Sequence, residues 1–489
     1  MTVLEQYAEV AGTKVPTGHW IGGEQVHSAG TFSDNSPIDG IRLAQICAGG
    51  KTEVDAAVAA ARGTFPAWAA LGPEGRRPIL HSFADGILAR AEQLANVETL
   101  DNGSLLAGNL RGAMPRAAHN IRFFADYALT LVGETVDSPD VVNHVRYTPS
   151  GVAALTTPWN APLMLTTWKV GPALAAGNTV VIKPPEWAPL TCSLMAEIAA
   201  AAGVPAGVLN VVQGIGEDAG AALVAHPDID RISFTGSPET ARLIASAAAE
   251  NLVPLSFELG GKSPFVVFAD ANLDAAAQTI AGQYANAGQV CLAGTRVLVE
   301  EPIAAALLEK VKTVVQHMVV GGPRDQKTRV GPLITPEHFA RVKGFVDRAR
   351  DSGARPLFGG SKHEAGDLYF APTLFEHVDP SMEIAQKEVF GPVLTWQTFA
   401  TEDEAISLAN STDYGLAAVM FTGDEQRAMR IGDAIVAGTV WVNCFFVRDL
   451  AAPFGGARNS GIGREGGRWS FDFFTDVKNI SIRKGSMGG

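Results

Sequence analysis

The stretch Gly151-Val-Ala-Ala-Leu-Thr156, followed by Thr179-Val-Val-Ile-Lys183, decides the fold. Both runs are continuously apolar rather than alternating, as strands buried on both faces are. Pro189 to Ala202 then reads as a helix closed by Gly203 and Pro205, and Val208 to Val212 as the next strand. Glu217 to Val224 is a predicted helix and Arg231 to Thr235 a predicted strand. Ser237-Pro238-Glu239 opens a helix reaching about Glu250. Strand and helix in alternation imply a parallel sheet covered on both faces, an architecture suited to nucleotides. Phe257 to Asp270 and Asp274 onward begin a second such unit. It continues through Arg296 to Glu300, Val389 to Phe399 and Thr439 to Asn443, and the change of unit is placed at Gly260-Gly261.

Upstream, residues 1 to about 50 read as a turn-rich lead-in, and helices are predicted over Thr52 to Phe65, Gly75 to Glu98 and Pro115 to Leu131. Asn143 to Thr148 and Val477 to Lys484 alternate polar and apolar residues. They predict two edge strands offered to a partner subunit, or an ordinary pair of surface strands. The tail from Gly485 is predicted to be disordered.

A length of 489 residues predicts about three lobes with a large core. Hydrophobic content of 47% with 18% charged residues is ordinary globular composition. A net charge of −13 argues against a nucleic-acid partner, which needs a basic patch. The four cysteines, Cys47, Cys192, Cys291 and Cys444, are scattered, which fits neither a disulfide framework nor a metal site. No apolar run reaches membrane-spanning length and no signal segment is visible, so a cytoplasmic, soluble enzyme is expected.

The chemistry centres on Asn286-Ala-Gly-Gln-Val-Cys291-Leu-Ala-Gly-Thr295. Cys291 follows a predicted helix (Asp274 to Ala287) stopped by Gly288, where a thiol can stay accessible; a small buried hydrophobe is the plainer reading. Phe257-Glu258-Leu-Gly-Gly261 places a carboxylate at a strand end ahead of that cysteine, as a general base for water or as a salt-bridged glutamate. Thr157-Pro-Trp159-Asn160 is a proline-pinned loop whose amide can donate to an oxyanion, or simply form a turn. Phe234-Thr-Gly236-Ser237 opens a helix and suits a phosphate, although the same residues satisfy a serine N-cap. Lys183-Pro-Pro-Glu186 follows a buried strand and can reach a ribose, or be a solvated turn. Glu186 prefers a free 2′-hydroxyl, favouring NAD over NADP. Gly214-Ile-Gly216-Glu-Asp-Ala-Gly220 imitates a dinucleotide fingerprint with its third glycine one residue late, and reads as a tight turn.

The order and spacing of these motifs resemble the aldehyde dehydrogenase superfamily over essentially the whole chain. Further signatures are Gly288-Gln-Val-Cys291, Glu388-Val-Phe390-Gly-Pro392, Pro453-Phe-Gly-Gly456 and Ser460-Gly-Ile-Gly463. The resemblance implies an α/β fold of two doubly wound, Rossmann-like domains with a small β extension for assembly. The cofactor domain would span 1–131 and 149–258, the catalytic domain 259–470, and the extension 132–148 with 471–489. It implies attack of Cys291 on an aldehyde, an oxyanion held by Asn160 and the Cys291 N–H, hydride transfer to NAD (NADP is not excluded), and a thioester hydrolysed by Glu258-activated water. Lys169 is implied to support Asn160 or the proton path. Thr157, Trp159, Lys183, Glu186, Gly236, Ser237, Leu259, Glu388 and Phe390 are the implied cofactor residues. Ala241 departs from the family's usual glycine, which implies a slight cofactor shift.

Pro115-Arg116-Ala-Ala-His-Asn-Ile-Arg-Phe-Phe-Ala, Val447-Arg448-Asp449-Leu450 and Ser460 to Gly467 resemble the muconic semialdehyde branch of ring-cleavage catabolism. That implies a carboxylate-bearing semialdehyde substrate gripped by Arg116 and Arg448, unless both make structural ion pairs. Ala451 stands where several relatives carry another arginine. Trp168, Phe445 and Phe446 line a substrate tunnel or pack the core. The alternative is a broad-specificity dehydrogenase of uncharged aromatic or aliphatic aldehydes. A CoA-acylating enzyme and a silent structural homologue are disfavoured by Glu258 and by the Cys291, Glu258, Asn160 set. A homodimer or homotetramer is expected.

Overall fold

The computed structural model describes residues 5–485; of the predicted disordered tail, Ser486 to Gly489 lie outside the described residues. The continuously apolar runs form one sheet. Strands β1 (Val152–Thr156), β2 (Thr179–Lys183), β3 (Leu209–Val211), β4 (Arg231–Gly236) and β5 (Leu255–Leu259) lie parallel in the order β5-β4-β1-β2-β3. Antiparallel strands complete it, His19–Ile21 and Glu24–Val26 beyond β3 and Gly461–Ile462 beyond β5. Alternate residues serve opposite faces. Ala153, Leu155, Val180 and Ile182 pack into one core, and Val152, Ala154 and Val181 into another. The chain lays strands outward from β1 and then returns to add β4 on its other side. The carboxyl ends of β1 and β4 therefore border the crevice where such sheets take ligands.

A second parallel sheet contains β6 (Pro264–Val267), β7 (Arg296–Glu300), β8 (Thr373–Glu376), β9 (Val393–Phe399), β10 (Ala417–Phe421) and β11 (Thr439–Val442), in the order β8-β9-β7-β6-β10-β11. The chain leaves the first sheet at Leu259 and enters the second at Pro264. Helices that position the site are α1 (Met114–Tyr127), α2 (Pro162–Ala176), α3 (Pro238–Ala249), α4 (Leu273–Gly282) and α5 (Pro336–Asp351). Apart from both sheets, Thr475–Arg483 pairs antiparallel with Val141–Pro149, which also pairs with Thr135–Asp137. Val136, Val477 and Ile480 of this small sheet are exposed.

Three predicted elements differ from those observed. The helix expected to reach Ala287 ends at Gly282, because Asn286 and Ala287 adopt left-handed φ of 51° and 54°. The helix predicted over Gly75 to Glu98 breaks at Arg90 (φ −109°, ψ 14°) into Gly72–Ala89 and Ala91–Asn102. The apolar spacing runs through the break, so periodicity does not register it. The strand expected from Val389 begins at Val393, because Phe390 is itself left-handed at φ 58°. The helix predicted over Glu217 to Val224 opens as a π-helix, Gly216–Gly220, before the α-helical Ala221–Val224, and the chain turns ahead of it at Gly214 (φ 148°).

Candidate active site

Cys291 lies just ahead of β7, Gly260-Gly261 ahead of β6, and Phe390 ahead of β9, so one edge of the second sheet presents all three segments. Glycine permits their close approach. A Cβ at Gly261 would stand 2.6 Å from the Cys291 carbonyl oxygen, and one at Gly288 would stand 2.1 Å from that of Gly391. Asn286, Ala287 and Gly288 form three successive left-handed residues. For the two non-glycines this costs on the order of 1 kcal/mol each. A net of amides offsets it. Asn286 Nδ2 donates to the Asn160 carbonyl at 3.2 Å, and Asn160 Nδ2 to the Gln289 carbonyl at 2.9 Å. Gln289 Nε2 donates to the Asn286 carbonyl at 3.0 Å, and its Oε1 accepts from Ile334 N at 3.0 Å. The loop after β1 and the cysteine loop are thus tied together, and Asn160 keeps its second amide hydrogen for another acceptor.

Cys291 is half-buried in the loop that follows the 3-10 helix Ala285–Gly288, rather than the α-helix expected there. Burial pushes its thiol up to about 12, Glu388 and Glu258 add to that, and Arg448 opposes it. At neutral pH it rests as a thiol, and losing the proton is part of its activation.

Glu258, in β5, is buried with neither carboxylate oxygen hydrogen-bonded. A Cβ at Gly455 would stand 2.9 Å from its Oε1, so a glycine leaves that oxygen its room. Burial and then Glu465 raise its carboxyl well above the ordinary range, against Lys169, Arg448 and Arg464. This is not the salt-bridged strand-end glutamate that the residues alone allow. Lys169, on α2, sends Nζ to Glu465 Oε1 and Ser233 Oγ, each at 2.8 Å. It therefore does not support Asn160 directly. Glu465 went unnamed in the sequence reading, since its partners come from distant strands and helices.

Arg448 is half-buried, its guanidinium 4.5 Å from the Trp168 ring centroid and 3.8 Å from that of Phe454, and its buried Nη2 has no hydrogen-bond partner. Burial draws it down to about 10, which leaves it charged near neutrality. Arg116, on α1, donates to the Arg448 carbonyl at 3.4 Å. Neither arginine forms an ion pair among the described residues, contrary to the structural alternative. Trp168 is buried; its ring backs Arg448 and its indole N–H donates to Glu465. It is a support rather than an open tunnel wall. Phe445 packs edge-on to Trp441 at 5.5 Å, whereas Phe446 is exposed.

At the carboxyl ends of the first sheet, Lys183 Nζ meets Glu186 Oε2 at 2.6 Å, and Ser237 caps α3 by accepting from Thr240 N at 3.2 Å. Thr157 is buried against Thr166, and Leu259 ends β5. Ala241 is buried on the second turn of α3. Glu388 Oε1 accepts from Gly261 N at 3.0 Å, and burial raises its carboxyl to about 7. Phe390 stands edge-on to Trp159 at 5.3 Å. A cation beside a carboxylate, a helix start and a wall of rings form the set of groups that phosphate, ribose and a flat heterocycle require. A dinucleotide fits these residues.

The family model for the aldehyde dehydrogenase family matches residues 24–480. A 2-hydroxymuconic semialdehyde dehydrogenase of Pseudomonas sp. (strain CF600) is 43% identical over 95% of this chain and 99% of its own. A 2-aminomuconic semialdehyde dehydrogenase of Danio rerio is 39% identical over 95% and 98%. An indole-3-acetaldehyde dehydrogenase solved in complex with NAD+ superposes with a TM-score of 0.94 at 40% identity, over 96% of this chain and 97% of that one. The chain belongs to the aldehyde dehydrogenase family, and it is an oxidoreductase acting on aldehydes.

Proposed function

We propose that the protein oxidises a carboxylate-bearing semialdehyde to the acid with NAD. The single observation that carries the substrate class is Arg448, a half-buried guanidinium held between Trp168 and Phe454 with its buried Nη2 unpartnered. A planar fork so held suits a carboxylate, and Arg116 lies alongside. The names of the semialdehyde dehydrogenase relatives agree with this class.

In this mechanism Cys291 gives its proton to solvent water, its sulfur adds to the aldehyde carbon, and the carbonyl electron pair moves onto the aldehyde oxygen. The second amide hydrogen of Asn160 and the Cys291 N–H stabilise the oxyanion, at on the order of 3 kcal/mol per donor. Trp159, Lys183, Glu186, Gly236, Ser237, Glu388 and Phe390 would hold NAD, whose nicotinamide accepts hydride when bound. Cys291 retains the acyl group as a thioester. Glu258 takes a proton from water as the water oxygen attacks the acyl carbon, the C–S bond breaks with its electron pair going to sulfur, and Cys291 leaves as the thiolate while Glu258 returns its proton to solvent. The Lys183–Glu186 pair supports NAD over NADP, because a 2′-phosphate would meet the Glu186 carboxylate.

The same reading divides the chain into 1–131 with 149–258, 259–470, and 132–148 with 471–489. The exposed apolar residues of the small sheet support a homodimer or homotetramer. No described helix is long and apolar enough to cross a membrane, and a cytoplasmic location is part of the proposal.

The test is NADH production with 2-hydroxymuconic, succinic and glutaric semialdehydes, benzaldehyde and hexanal, in wild type and Arg448→Ala. Selective loss of the acid semialdehydes is expected. Best activity on uncharged aldehydes, unchanged by the substitution, would overturn the substrate assignment and favour the broad-specificity alternative.

A further inference from the structure

Glu388-Val389-Phe390 is an irregular segment, yet all three of its carbonyl oxygens are taken by side chains of one helix. His338, on the first turn of α5, approaches the Phe390 carbonyl through Nε2 at 2.7 Å. Arg341, one turn on, donates through Nη2 to the Glu388 carbonyl at 2.7 Å and through Nη1 to that of Val389. Because the acceptor is a carbonyl, Nε2 carries the hydrogen. We infer that His338 and Arg341 are positioning residues, which clamp this segment and so fix the wall and ribose contact of the cofactor's nicotinamide end. The inference rests on the reading that Glu388 and Phe390 frame that end.

Three observations point beyond ordinary packing. Phe390 sits in the left-handed region at φ 58°, which a bulky residue keeps only where its surroundings hold it. The imidazole also stands edge-on to Trp159 (5.5 Å) and to Phe390 (6.1 Å), completing a three-ring cluster with the 5.3 Å Trp159–Phe390 pair. The donor is itself anchored, since Thr335 Oγ1 caps the helix by accepting from His338 N at 3.1 Å. Burial holds the ring neutral, with its pKa drawn down to about 4. A neutral ring with one N–H is the form a fixed donor needs. The clamp also reaches the cysteine loop: a Cβ at Gly391 would stand 2.7 Å from Val342 of the same helix, and Gly288 abuts the Gly391 carbonyl.

The test titrates NADH against the full-length protein and reads both affinity and the fluorescence lifetime of bound NADH, which reports the surroundings of the nicotinamide. His338→Phe keeps a ring without a donor, and His338→Gln restores one. Expected are a roughly tenfold weaker NADH affinity and a changed lifetime in His338→Phe, the size of one lost buried hydrogen bond, with most of both recovered in His338→Gln. A folded His338→Phe protein with wild-type affinity and lifetime would overturn the inference, and so would equal losses in the two variants. If His338→Phe does not fold, Arg341→Met gives the same reading, and wild-type behaviour there overturns it. Glu388→Gln and Phe390→Ala run alongside. No change in either would overturn the cofactor reading beneath the clamp, whereas changes there with none at His338 or Arg341 would overturn the clamp alone.

Discussion

Lys169 Nζ stands 2.8 Å from Glu465 Oε1, and the two side chains are buried together behind the unpartnered carboxylate of Glu258. Like charge from Glu465 raises Glu258, and Lys169 lowers it. A base works only when deprotonated, so activity should rise with pH through the Glu258 value. Glu465→Gln removes the like charge, and the acid limb of kcat/KM should move to lower pH. An unmoved limb would sever the two carboxyls functionally. Glu465→Ala, which strands the Lys169 ammonium, should cost roughly 3–5 kcal/mol of stability by denaturant unfolding.

Glu258→Gln separates acylation from hydrolysis. Rapid mixing with NAD and aldehyde should give a burst approaching one NADH per subunit, then turnover slowed by about 10²–10⁴-fold. A first turnover slowed as much as the later ones would remove Glu258 from the water-activating role.

Cys291 alkylation should disclose its raised pKa. With the value near 12, the iodoacetamide rate should climb about tenfold per pH unit from 7 to 10 without a plateau, whereas an ordinary thiol levels off above its value of about 8.5. Glu258→Gln removes a raising charge and should speed labelling at fixed pH. Arg448→Ala removes a lowering one and should slow it. A plateau below pH 9 would show that the thiol is already activated without cofactor.

Two glycine substitutions should have opposite fates. Gly288→Ala puts a Cβ 2.1 Å from a carbonyl oxygen at φ 70°, and the displaced cysteine loop should lose at least roughly 10²-fold in kcat. Gly282→Ala ends α4 in open space and should stabilise by about 0.5–1 kcal/mol in thermal unfolding, with kcat unchanged. Similar activity in both would mean that the close packing of Gly288 on Gly391 does not set the nucleophile's position.

Much of the first sheet was legible because its signals are local. Thr179–Lys183 begins and ends where its predicted run does, Arg231–Gly236 differs from its prediction by one residue, and Ser237 with Pro238 announces the start of α3. Candidate residues were legible as motifs, yet several roles were not. Lys169 offered a choice between Asn160 and a proton path, and only the position of Glu465 decides what its ammonium touches. For Arg448 the sequence leaves a substrate clamp and an ion pair open, and only the fold brings Trp168 and Phe454 against its guanidinium.

By itself the sequence determined the two parallel sheets and the crossing at Gly260-Gly261, and it marked Cys291, Glu258 and Asn160 as candidates, because periodicity, glycine spacing and residue chemistry are properties of neighbours along the chain. Tertiary structure alone decided that Cys291 is a half-buried thiol, that Glu258 shares its charge environment with Glu465, and that α5 clamps Glu388 to Phe390. Those outcomes depend on burial and on charges brought together from distant strands and helices, which no local pattern records.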